Sequence, residues 1–411
     1  MSGPLGSSQW MYSSGAAGYQ INDSLRFEDG SGAYLSRTPA TAGNTTTYTV
    51  SFWIKGFDLR EQTIMSAENG ASQTFIKLRS DGQIQFGAWN GSGYDFNLRT
   101  TALHRDPSAF YHFVCVMDGG NATSSDRQRI YVNGERRTSF THEVYTTSGQ
   151  EINTAVTHYL GRLPVAGSTQ YLSALLSDVY FIDGQALDPT DFGETIDGYW
   201  RPIAYAGTYG TNGFHLELNG NSNDSSGNGN DWTAASISAH DYVPDTPTNS
   251  FATYNINVNT GQSLTYEEGN LNNSASGSFW SSSVWQQSSL GVTGGANAGK
   301  YYFEYCTTAS GSGQATGVAV QSSRAIDTTA HNDGVIYYYL SVKTGNTVTV
   351  SGISNNPTYD VLRFAFDASN GKVWIGNSTG WFNSGDPAAG TNESGTIAIS
   401  DSHPDLNCKR L

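Results

Sequence analysis

Residues 110–140 read FYHFVCVMDGGNATSSDRQRIYVNGERRTSF, and they decide the fold class. The first eight residues, 110–117, are aromatic, β-branched or apolar without a breaker, which is typical of a β-strand. The next ten, 118–127, are rich in Gly, Asn, Ser and Asp, which is turn chemistry. A second short strand follows at 128–132, so the stretch begins as two strands joined by a polar loop.

Asn133-Gly134 comes directly after that second strand. This dipeptide predicts a type I′ hairpin, because both central residues of the turn need positive φ. Residues 136–140 then return as a third strand. Together these segments predict an antiparallel meander and an all-β first domain.

Strand signals continue on the N-terminal side, separated by Ser-Asp-Gly and Asn-Gly-Ser-Gly turns. Segments of this kind at roughly 8 to 12 residue spacing predict a two-sheet sandwich. Trp53 lies opposite the apolar face of its strand, so it packs in a second layer or is exposed. Helical patterns are absent, apart from one turn near 188–191. The further strands are expected at 48–54, 74–78, 84–89 and 94–98.

An aromatic-His strand that ends in Asp, followed by a polar loop and I-Y-V-N-G, resembles laminin-G-like, concanavalin-type jelly rolls. The residues that carry this resemblance are Tyr111, His112, Asp118 and the run 130–134. It extends from about residue 24 to residue 194, through the segments SLRFEDGSGAYLSRT (24–38), TVSFWIKG (49–56), HYLGR (158–162) and LSALLSDVYFIDGQALDPTDFGE (172–194).

Two segments resemble one particular group of laminin-G-like proteins, the virion proteins of marine bacteriophages. DVYFIDGQALDP at 178–189 is similar to the tail of their laminin-G-like units, and SSQWMYSSG at 7–15 is similar to their N-terminal lead. The resemblance implies other virion proteins as partners and a homo-oligomer, with a trimer expected by analogy with virion fibres.

Length and composition restrict the class of protein. The 411 residues predict two or three domains, because one hydrophobic core rarely extends that far. Charged residues are only 14% and aromatic residues 12%, the opposite of what intrinsic disorder requires. The net charge of −15 argues against nucleic acid and against anionic membrane surfaces, since both are bound through Lys and Arg.

Targeting signals and cysteines point the same way. Apolar runs stay short of the ~20 residues that a membrane span needs. The N-terminus shows no basic region followed by an apolar core, so no signal peptide is expected. A virion protein, made in the host cytoplasm and released by lysis, fits this pattern. Cys115, Cys306 and Cys408 form no C-x-x-C pair, and we expect Cys115 and Cys306 to be buried free thiols.

Changes in amino-acid composition along the chain divide it into four parts. Trp10, Met11 and Tyr12 are candidate anchors of an extended arm that docks on a neighbouring virion subunit, although a free terminus is the alternative. Pro244 and Pro247 favour extended backbone, so 243–249 is expected to be a linker. The predicted parts are an N-terminal arm (1–22), the laminin-G-like jelly roll (23–195), a connector with one strand and a Gly/Asn-rich loop (196–275), and a second sandwich (276–411).

The loop NGNSNDSSGNGNDW at 219–232 resembles one that opens many laminin-G-like units. Its candidate oxygen ligands for calcium are Asp224, Asn228, Asn230 and Asp231, since calcium accepts 6 to 8 oxygens in flexible geometry. The alternative is a polar loop capped by its own Asx turns.

The second sandwich is most clearly expected at 358–391, which contains a strand, an Asn370-Gly371 hairpin, the run KVWIG and then Trp381. This order, with the run GKYYFEY at 299–305, is similar to SPRY-type β-sandwiches. SPRY domains normally continue with further strands after the segment at 397–401. We therefore expect the sandwich to be incomplete, or completed by a neighbouring chain.

Catalytic patterns are lacking in the sequence. Glycosidases need two carboxylates about 5 to 9 Å apart, and no acidic run places two on one strand face. No G-x-S-x-G elbow and no zinc-type His spacing occur. His112 is expected to be a hydrogen-bonded structural residue beside Tyr111.

Binding therefore remains as the expected activity. Trp53, Trp89, Tyr94 and Trp381 are candidates to stack on pyranose faces, with packing in the core as the alternative for each. We predict an all-β protein of two antiparallel β-sandwiches that is a non-enzymatic virion component. The expected role is a tail fibre that contacts a host-surface glycan or protein. The alternatives are an architectural capsid-decoration or head-fibre protein and, third, a carbohydrate-active enzyme.

Overall fold

A computed structural model describes residues 18–165, 169–196, 198–251, 253–254, 264–275, 286–292, 299–306, 315–320, 334–338, 340–345, 347–353, 361–397 and 406–410. Within these ranges the regular structure is β-strand with short 3-10 turns, and no α-helix occurs. No helix in the described part of the chain is long and apolar enough to cross a membrane. The chain divides between residues 251 and 252 into two compact units, called here the first and the second unit.

The described residues of the first unit form twenty strands, and the ladders between them are antiparallel. They are β1 Ser24–Phe27, β2 Tyr34–Arg37, β3 Thr47–Gly56, β4 Gln62–Asn69, β5 Ser72–Leu78, β6 Ile84–Trp89, β7 Tyr94–Thr100, β8 Tyr111–Asp118, β9 Gln128–Val132, β10 Glu135–Arg136, β11 Phe140–Val144, β12 His158–Leu160, β13 Arg162–Leu163, β14 Gln170–Tyr171, β15 Ala174–Asp183, β16 Gly193–Ile196, β17 Tyr199–Pro202, β18 Phe214–Leu216, β19 Thr233–Ala235 and β20 Tyr242–Val243. The 3-10 turns are Asp29–Ser31, Ser124–Asp126, Pro189–Asp191 and Ala239–Asp241.

Two eight-stranded sheets enclose the core of this unit. The back sheet has the order β10-β9-β8-β3-β15-β1-β20, and β18 also pairs with β15. The front sheet has the order β11-β7-β6-β5-β4-β12-β2-β19. Strand β6 shows why both form: Ile84, Phe86 and Ala88 enter the core, and the residues between them face outward. The predicted all-β jelly roll is confirmed.

The predicted hairpin at Asn133-Gly134 is present, with φ of 49° and 81° at the two residues. The expected third strand at 136–140 differs from the structure. Strand β10 ends at Arg136, and the chain then crosses to the front sheet, where β11 pairs with β7. Phe140 packs against the core from that second sheet, so burial of its ring favours the crossing.

Both ends of the first unit depart from the expected arm and connector. Residues 18–22 lie on the unit itself, where Ile21 is buried and its N–H donates to Thr248 Oγ1 at 3.1 Å. Strands β18, β19 and β20, in the region expected to be a connector, complete the two large sheets. The expected linker at 243–249 includes Asp245, whose Oδ2 accepts a hydrogen bond of 2.9 Å from the buried Lys55. The three anchors Trp10, Met11 and Tyr12 lie outside the described residues.

The described strands of the second unit are β21 Leu264–Glu267, β22 Asn272–Ala275, β23 Gln286–Val292, β24 Lys300–Cys306, β25 Ala315–Val320, β26 Gly334–Tyr338, β27 Ser341–Thr344, β28 Thr347–Val350, β29 Val361–Asp367, β30 Lys372–Asn377, β31 Gly380–Trp381, β32 Gly395–Thr396 and β33 Leu406–Arg410, with a 3-10 turn at Phe382–Ser384. Two sheets contain most of them, with the orders β23-β33-β25-β26-β27-β28 and β24-β29-β30-β31, and β32 pairs with β30. The SPRY-like identity of this unit stays a prediction.

Cysteine burial is as predicted at one position and different at another. Cys115 is a buried free thiol on β8, and burial raises the pKa of the thiol above its ordinary range. Cys306 is exposed, because it is the last residue of the strand β24, where alternate side chains face outward.

Candidate functional site

The outward side of the front sheet, called here the front face, carries an unusual set of side chains. Strand register places them in rows across β12, β4, β5, β6 and β7, opposite to the neighbours that form the core. They are Thr63, Ser66, Phe75, Lys77, Gln85, Gly87, Trp89, Tyr94, Asn97, Arg99 and Tyr159.

A glycine gives the front face its flat centre. Gly87 lies between Phe75 and Asn97 in one row, and a Cβ there would lie 3.2 Å from Phe75 Cε2. The ring of Phe75 occupies this space and is buried. Lys77 Nζ then lies 4.1 Å from the centroid of the ring, a cation–π contact.

Lys77 is a buried cation on an outward-facing position, with 8% of its surface exposed. Burial disfavours the ammonium and lowers the pKa of Lys77 to about 8, although the charge of Glu61 opposes the change. Glu61 Oε1 is 3.9 Å from Lys77 Nζ, beyond hydrogen-bond distance. The ammonium therefore retains donors that a ligand can use.

Neighbouring polar groups on the front face are held in a hydrogen-bonded chain. Arg79 Nη1 lies 2.5 Å from Glu61 Oε1 and donates to Gln85 Oε1 at 3.2 Å. Gln85 Nε2 in turn donates to Asn97 Oδ1 at 2.7 Å. Gln85 and Asn97 are each 2% exposed. Fixed polar groups of this kind cost little entropy when they bind a ligand.

Two of the predicted aromatic platforms meet at one corner of this face. Trp89 and Tyr94 are cross-strand partners, and their ring centroids are 5.1 Å apart at an interplanar angle of 77°. Tyr94 is 44% exposed and Trp89 is half-buried. The structure thus brings together two residues that the sequence singled out separately.

An aromatic and cationic cluster lies beside β12, across the front face. The Arg162 guanidinium carbon is 4.6 Å from the Tyr34 ring centroid, 5.2 Å from that of Tyr159 and 5.9 Å from that of Tyr171. Ser66 Oγ donates to the carbonyl oxygen of Arg162 at 2.6 Å, which ties the cluster to β4. We call these four residues, three tyrosines and one arginine, the Arg162 cluster.

Trp53 is not a sugar platform, which corrects the sequence prediction. It is 4% exposed and stacks on His112, with ring centroids 4.7 Å apart. His112 in turn stacks on Trp200 of β17 at 5.9 Å. The hairpin β16–β17 adds a further layer outside the back sheet, which is the packing alternative that the strand pattern left open.

The loop proposed for calcium is held by its own hydrogen bonds. Asp224 Oδ1 accepts from the backbone N–H groups of His215 and Ser226, and Oδ2 accepts from Asn230 N at 2.9 Å. Asn228 Nδ2 donates to two backbone carbonyls, and Asp231 Oδ1 accepts from Asp224 N at 2.8 Å. The oxygens of Asp224 and Asp231 thus already bind N–H donors, and no cluster of three or more acidic, His or Cys residues suited to a metal occurs in the described ranges. Calcium binding stays a prediction.

Trp381 of the second unit lies on an outward face of its sheet. Its ring is half-buried, 5.5 Å from the guanidinium carbon of Arg363 and 6.4 Å from the Tyr302 ring. It does not belong to the front face, and its stacking role stays a prediction.

Sequence reasoning missed the centre of the site. Lys77, Gln85, Asn97 and Arg162 were not singled out, although Lys77, Gln85 and Asn97 occupy outward positions of strands that were predicted. The available signal was the set of polar residues Lys77, Gln85, Asn97 and Arg99 at outward positions of three consecutive strands.

Comparison with known proteins agrees with this architecture. Residues 29–191 match a laminin G-type family described as the Concanavalin A-like lectin/glucanases superfamily. No curated protein matches the chain significantly.

The solved structures that match the chain include three from different organisms. A SAP-like pentraxin from Limulus polyphemus is 22% identical, covering 41% of this chain and 79% of its own, with a TM-score of 0.30. Domains LG4-5 of the mouse laminin alpha1 chain are 13% identical, covering 97% and 84%, with a TM-score of 0.34. A putative carbohydrate binding protein from Bacteroides ovatus is 14% identical, covering 54% and 60%, with a TM-score of 0.35. The family match and the two-sheet topology together show that the first unit contains a laminin G-like domain of the concanavalin-type jelly-roll fold.

Proposed function

We propose that this chain is a non-enzymatic glycan-binding protein and that the front face of its laminin G-like domain is the binding surface. The observation that carries the proposal is the burial of Lys77, Gln85 and Asn97 on outward-facing strand positions. Burying polar groups is costly unless they are hydrogen-bonded, so sequences seldom place them on an outward face without a use.

The chemistry of the front face suits a sugar. A pyranose has an apolar face that packs on aromatic rings and hydroxyl groups that need both donors and acceptors. The Trp89–Tyr94 pair offers rings, and the amides of Gln85 and Asn97 offer donors and acceptors beside the Lys77 ammonium. The matched family includes lectins by its description, which supports the same class of ligand.

We further propose that the protein is displayed on a bacteriophage virion as a tail fibre or similar appendage that attaches to the host surface. The support is the resemblance of residues 7–15 and 178–189 to phage virion proteins. The runner-up is a capsid-decoration protein with a purely architectural role. Labelled antibodies in virion micrographs separate these roles, because a label on the tail tip supports attachment and a label on the capsid lattice contradicts it.

One cluster supports an enzyme as the competing function. His215 Nε2 is 2.7 Å from Asp178 Oδ1, and Ser225 Oγ is 2.9 Å from His215 Nδ1. This chain of contacts joins the residue types of an acyl-transfer triad but with the two imidazole nitrogens exchanged, since in a triad the serine bonds Nε2 and the acid bonds Nδ1. Ser225 Oγ also lies 3.1 Å from the carbonyl oxygen of His215, which competes for its proton. We expect no labelling of Ser225 by a fluorophosphonate probe, and stoichiometric labelling would favour a hydrolase.

The binding test uses immobilised full-length protein and a panel of bacterial surface polysaccharides. We expect Lys77→Met and Asn97→Leu each to weaken binding of the responding polysaccharide at least tenfold. Lys372→Met is the matched control, because it removes a partly buried lysine of the second unit that is ion-paired with Glu393 at 3.3 Å. Absence of any response, or equal binding by all four proteins, would contradict the proposal. Release of reducing ends would contradict its non-enzymatic part.

A further inference from the structure

Among the described residues, the cation of the Arg162 cluster has no acidic partner within 4 Å. Arg162 makes cation–π contacts with three tyrosines, and its Nε is buried without a hydrogen-bond partner in the described residues. The Nε atoms of Arg79, Arg99 and Arg129 are likewise buried without a hydrogen-bond partner in the described residues, so the difference lies in the carboxylates. The following arginines of the first unit each lie within 4 Å of a carboxylate: Arg26, Arg60, Arg79, Arg99, Arg129, Arg136 and Arg137.

The backbone that carries Arg162 is held firmly in place. Gly161 has a φ of 84°, its N–H donates to Ile64 O at 2.8 Å, and its carbonyl accepts from Leu172 N at 3.0 Å. A Cβ at this position would lie 2.5 Å from the Phe27 ring, so the close approach requires glycine. The guanidinium is therefore presented from a fixed turn, with little freedom to reach a distant carboxylate.

Glu68, on the adjacent strand β4, interacts electrostatically with this group. Burial raises the pKa of Glu68, and the charge of Arg162 opposes that change. The two residues form no ion pair within 4 Å, so the guanidinium retains its donors for a ligand.

We propose that the Arg162 cluster binds the carboxylate of an acidic sugar, a hexuronic acid residue within a polysaccharide. The planar guanidinium matches a carboxylate through two parallel N–H bonds, and the tyrosine rings offer surfaces for the pyranose. An arginine without an acid partner, in a chain of net charge −15, is the charge complement of such a group. The inference rests on the proposed glycan-binding function and adds the class of sugar.

The test compares two oligosaccharides that differ only at C6. A β-1,4-linked hexamer of glucuronic acid and cellohexaose are titrated into the full chain by calorimetry at low salt. We expect the acidic hexamer to bind at least tenfold more tightly, and its affinity to fall as salt screens the charge. Hexaglutamate is the third ligand, because equal binding of this peptide would mean that the carboxylate is recognised without the sugar and would overturn the proposal.

Substitutions test whether Arg162 causes the preference for the acidic hexamer. Arg162→Met keeps an apolar side chain and removes the guanidinium with its paired N–H donors. We expect this variant to bind both hexamers with the same affinity. Arg162→Lys restores charge without the bidentate geometry, so an intermediate preference is expected. Arg136→Met is the control, because that arginine is ion-paired with Asp126 on the back sheet. Unchanged melting temperatures show that each variant folds.

The possible outcomes distinguish failure of this inference from failure of the proposed glycan-binding function on which it rests. If both hexamers bind equally and Lys77→Met weakens both, the acidic preference is overturned and glycan binding stands. If neither hexamer binds, the inference is overturned, and the polysaccharide panel decides the proposed function. A preference that survives in Arg162→Met also overturns it.

Discussion

The indole N–H of Trp200 donates a hydrogen bond of 3.0 Å to Nδ1 of His112. An indole N–H is only a donor, so Nδ1 must be unprotonated and the proton lies on Nε2, 2.8 Å from Ser51 Oγ. Protonation of Nδ1 would place two donors face to face. Burial, which is nearly complete, lowers the pKa of His112 to about 3. The ring is thus a neutral structural link between the back sheet and β17.

Acid destabilisation is the first prediction. Burial also lowers the pKa of His104 and of His158 to about 4 each. Because the unfolded chain takes up protons near pH 6.5 and the folded chain does not, stability is complete above that pH and is lost as pH falls toward 4. We expect a loss of roughly 2 kcal/mol per histidine between pH 6.5 and 4.5, at about 1.4 kcal/mol per pH unit. Urea unfolding at several pH values measures it.

NMR of the imidazole group tests the same point at one residue. We expect His112 to show no titration down to pH 4 in the native chain. Trp200→Phe removes the donor that faces Nδ1, so titration should begin at higher pH in that variant. Titration of the native His112 near pH 6 would contradict the low pKa that burial gives this imidazole.

The second prediction concerns Lys77, where function and stability oppose each other. Its folded pKa of about 8 is below the unfolded value of 10.5, so the unfolded chain binds more protons between these values and stability rises with pH there. Below pH 8 the buried ammonium is destabilising. We expect Lys77→Met to be more stable than the native chain by about 1 to 3 kcal/mol at pH 7, by relieving that cost. Urea unfolding checks it.

Glycan binding should show the reverse dependence. Deprotonation removes the charge of Lys77 Nζ, so affinity for the responding polysaccharide should fall as pH rises through 8. Lys77→Met should show weak binding that does not change between pH 7 and 9. A native affinity that is constant over this range would contradict a role for the ammonium.

A buried ion pair supplies the third prediction. Lys55 Nζ is 2.9 Å from Asp245 Oδ2, and Lys55 is fully buried. Burial raises the pKa of Asp245, and the charge of Lys55 opposes the rise. Asp245→Ala leaves the lysine charge unpaired, which typically costs about 3 to 5 kcal/mol. We expect a loss of that size in denaturant unfolding of the first unit.

The matched control for that loss is Asp126→Ala, which breaks the partly exposed pair with Arg136. Such pairs contribute about 0 to 1 kcal/mol, so the control should unfold nearly as the native chain does. Equal behaviour of the two variants would mean that residues 243–249 are a linker, as their proline content first indicated, and do not stabilise the first unit.

The sequence predicted the sheets better than their connections. Alternation identified β6 at its observed bounds, and Asn133-Gly134 identified the hairpin, because both signals are local. The pattern does not say which sheet receives a strand, so the crossing to β11 was missed. Strands β19 and β20 have three and two residues, too few for any periodicity, and only their pairing with distant strands reveals them.

The site was predicted in part for a similar reason. Trp89 and Tyr94 were each singled out as candidates, and the structure shows that the turn between their strands makes them cross-strand partners on one face. Lys77 also occupies an outward position, but strand alternation predicts exposure there and its burial depends on distant neighbours such as Glu61 and the Phe75 ring. Trp53 shows the opposite error, because the layer that buries it begins at residue 193, far along the chain.

The loop around Asp224 gives the last prediction. Burial raises the pKa of Asp224, but hydrogen bonds from His215, Ser226 and Asn230 outweigh it, and the pKa lies below its ordinary value. Asp224→Asn keeps the shape and loses the charge on which these bonds depend, so we expect a loss of about 1 to 3 kcal/mol. Calcium at millimolar concentration should leave the melting temperature of the native chain unchanged, because the carboxylate oxygens already accept N–H donors. A rise of several degrees with calcium, absent in Asp224→Asn, would instead establish the calcium site that the loop sequence first indicated.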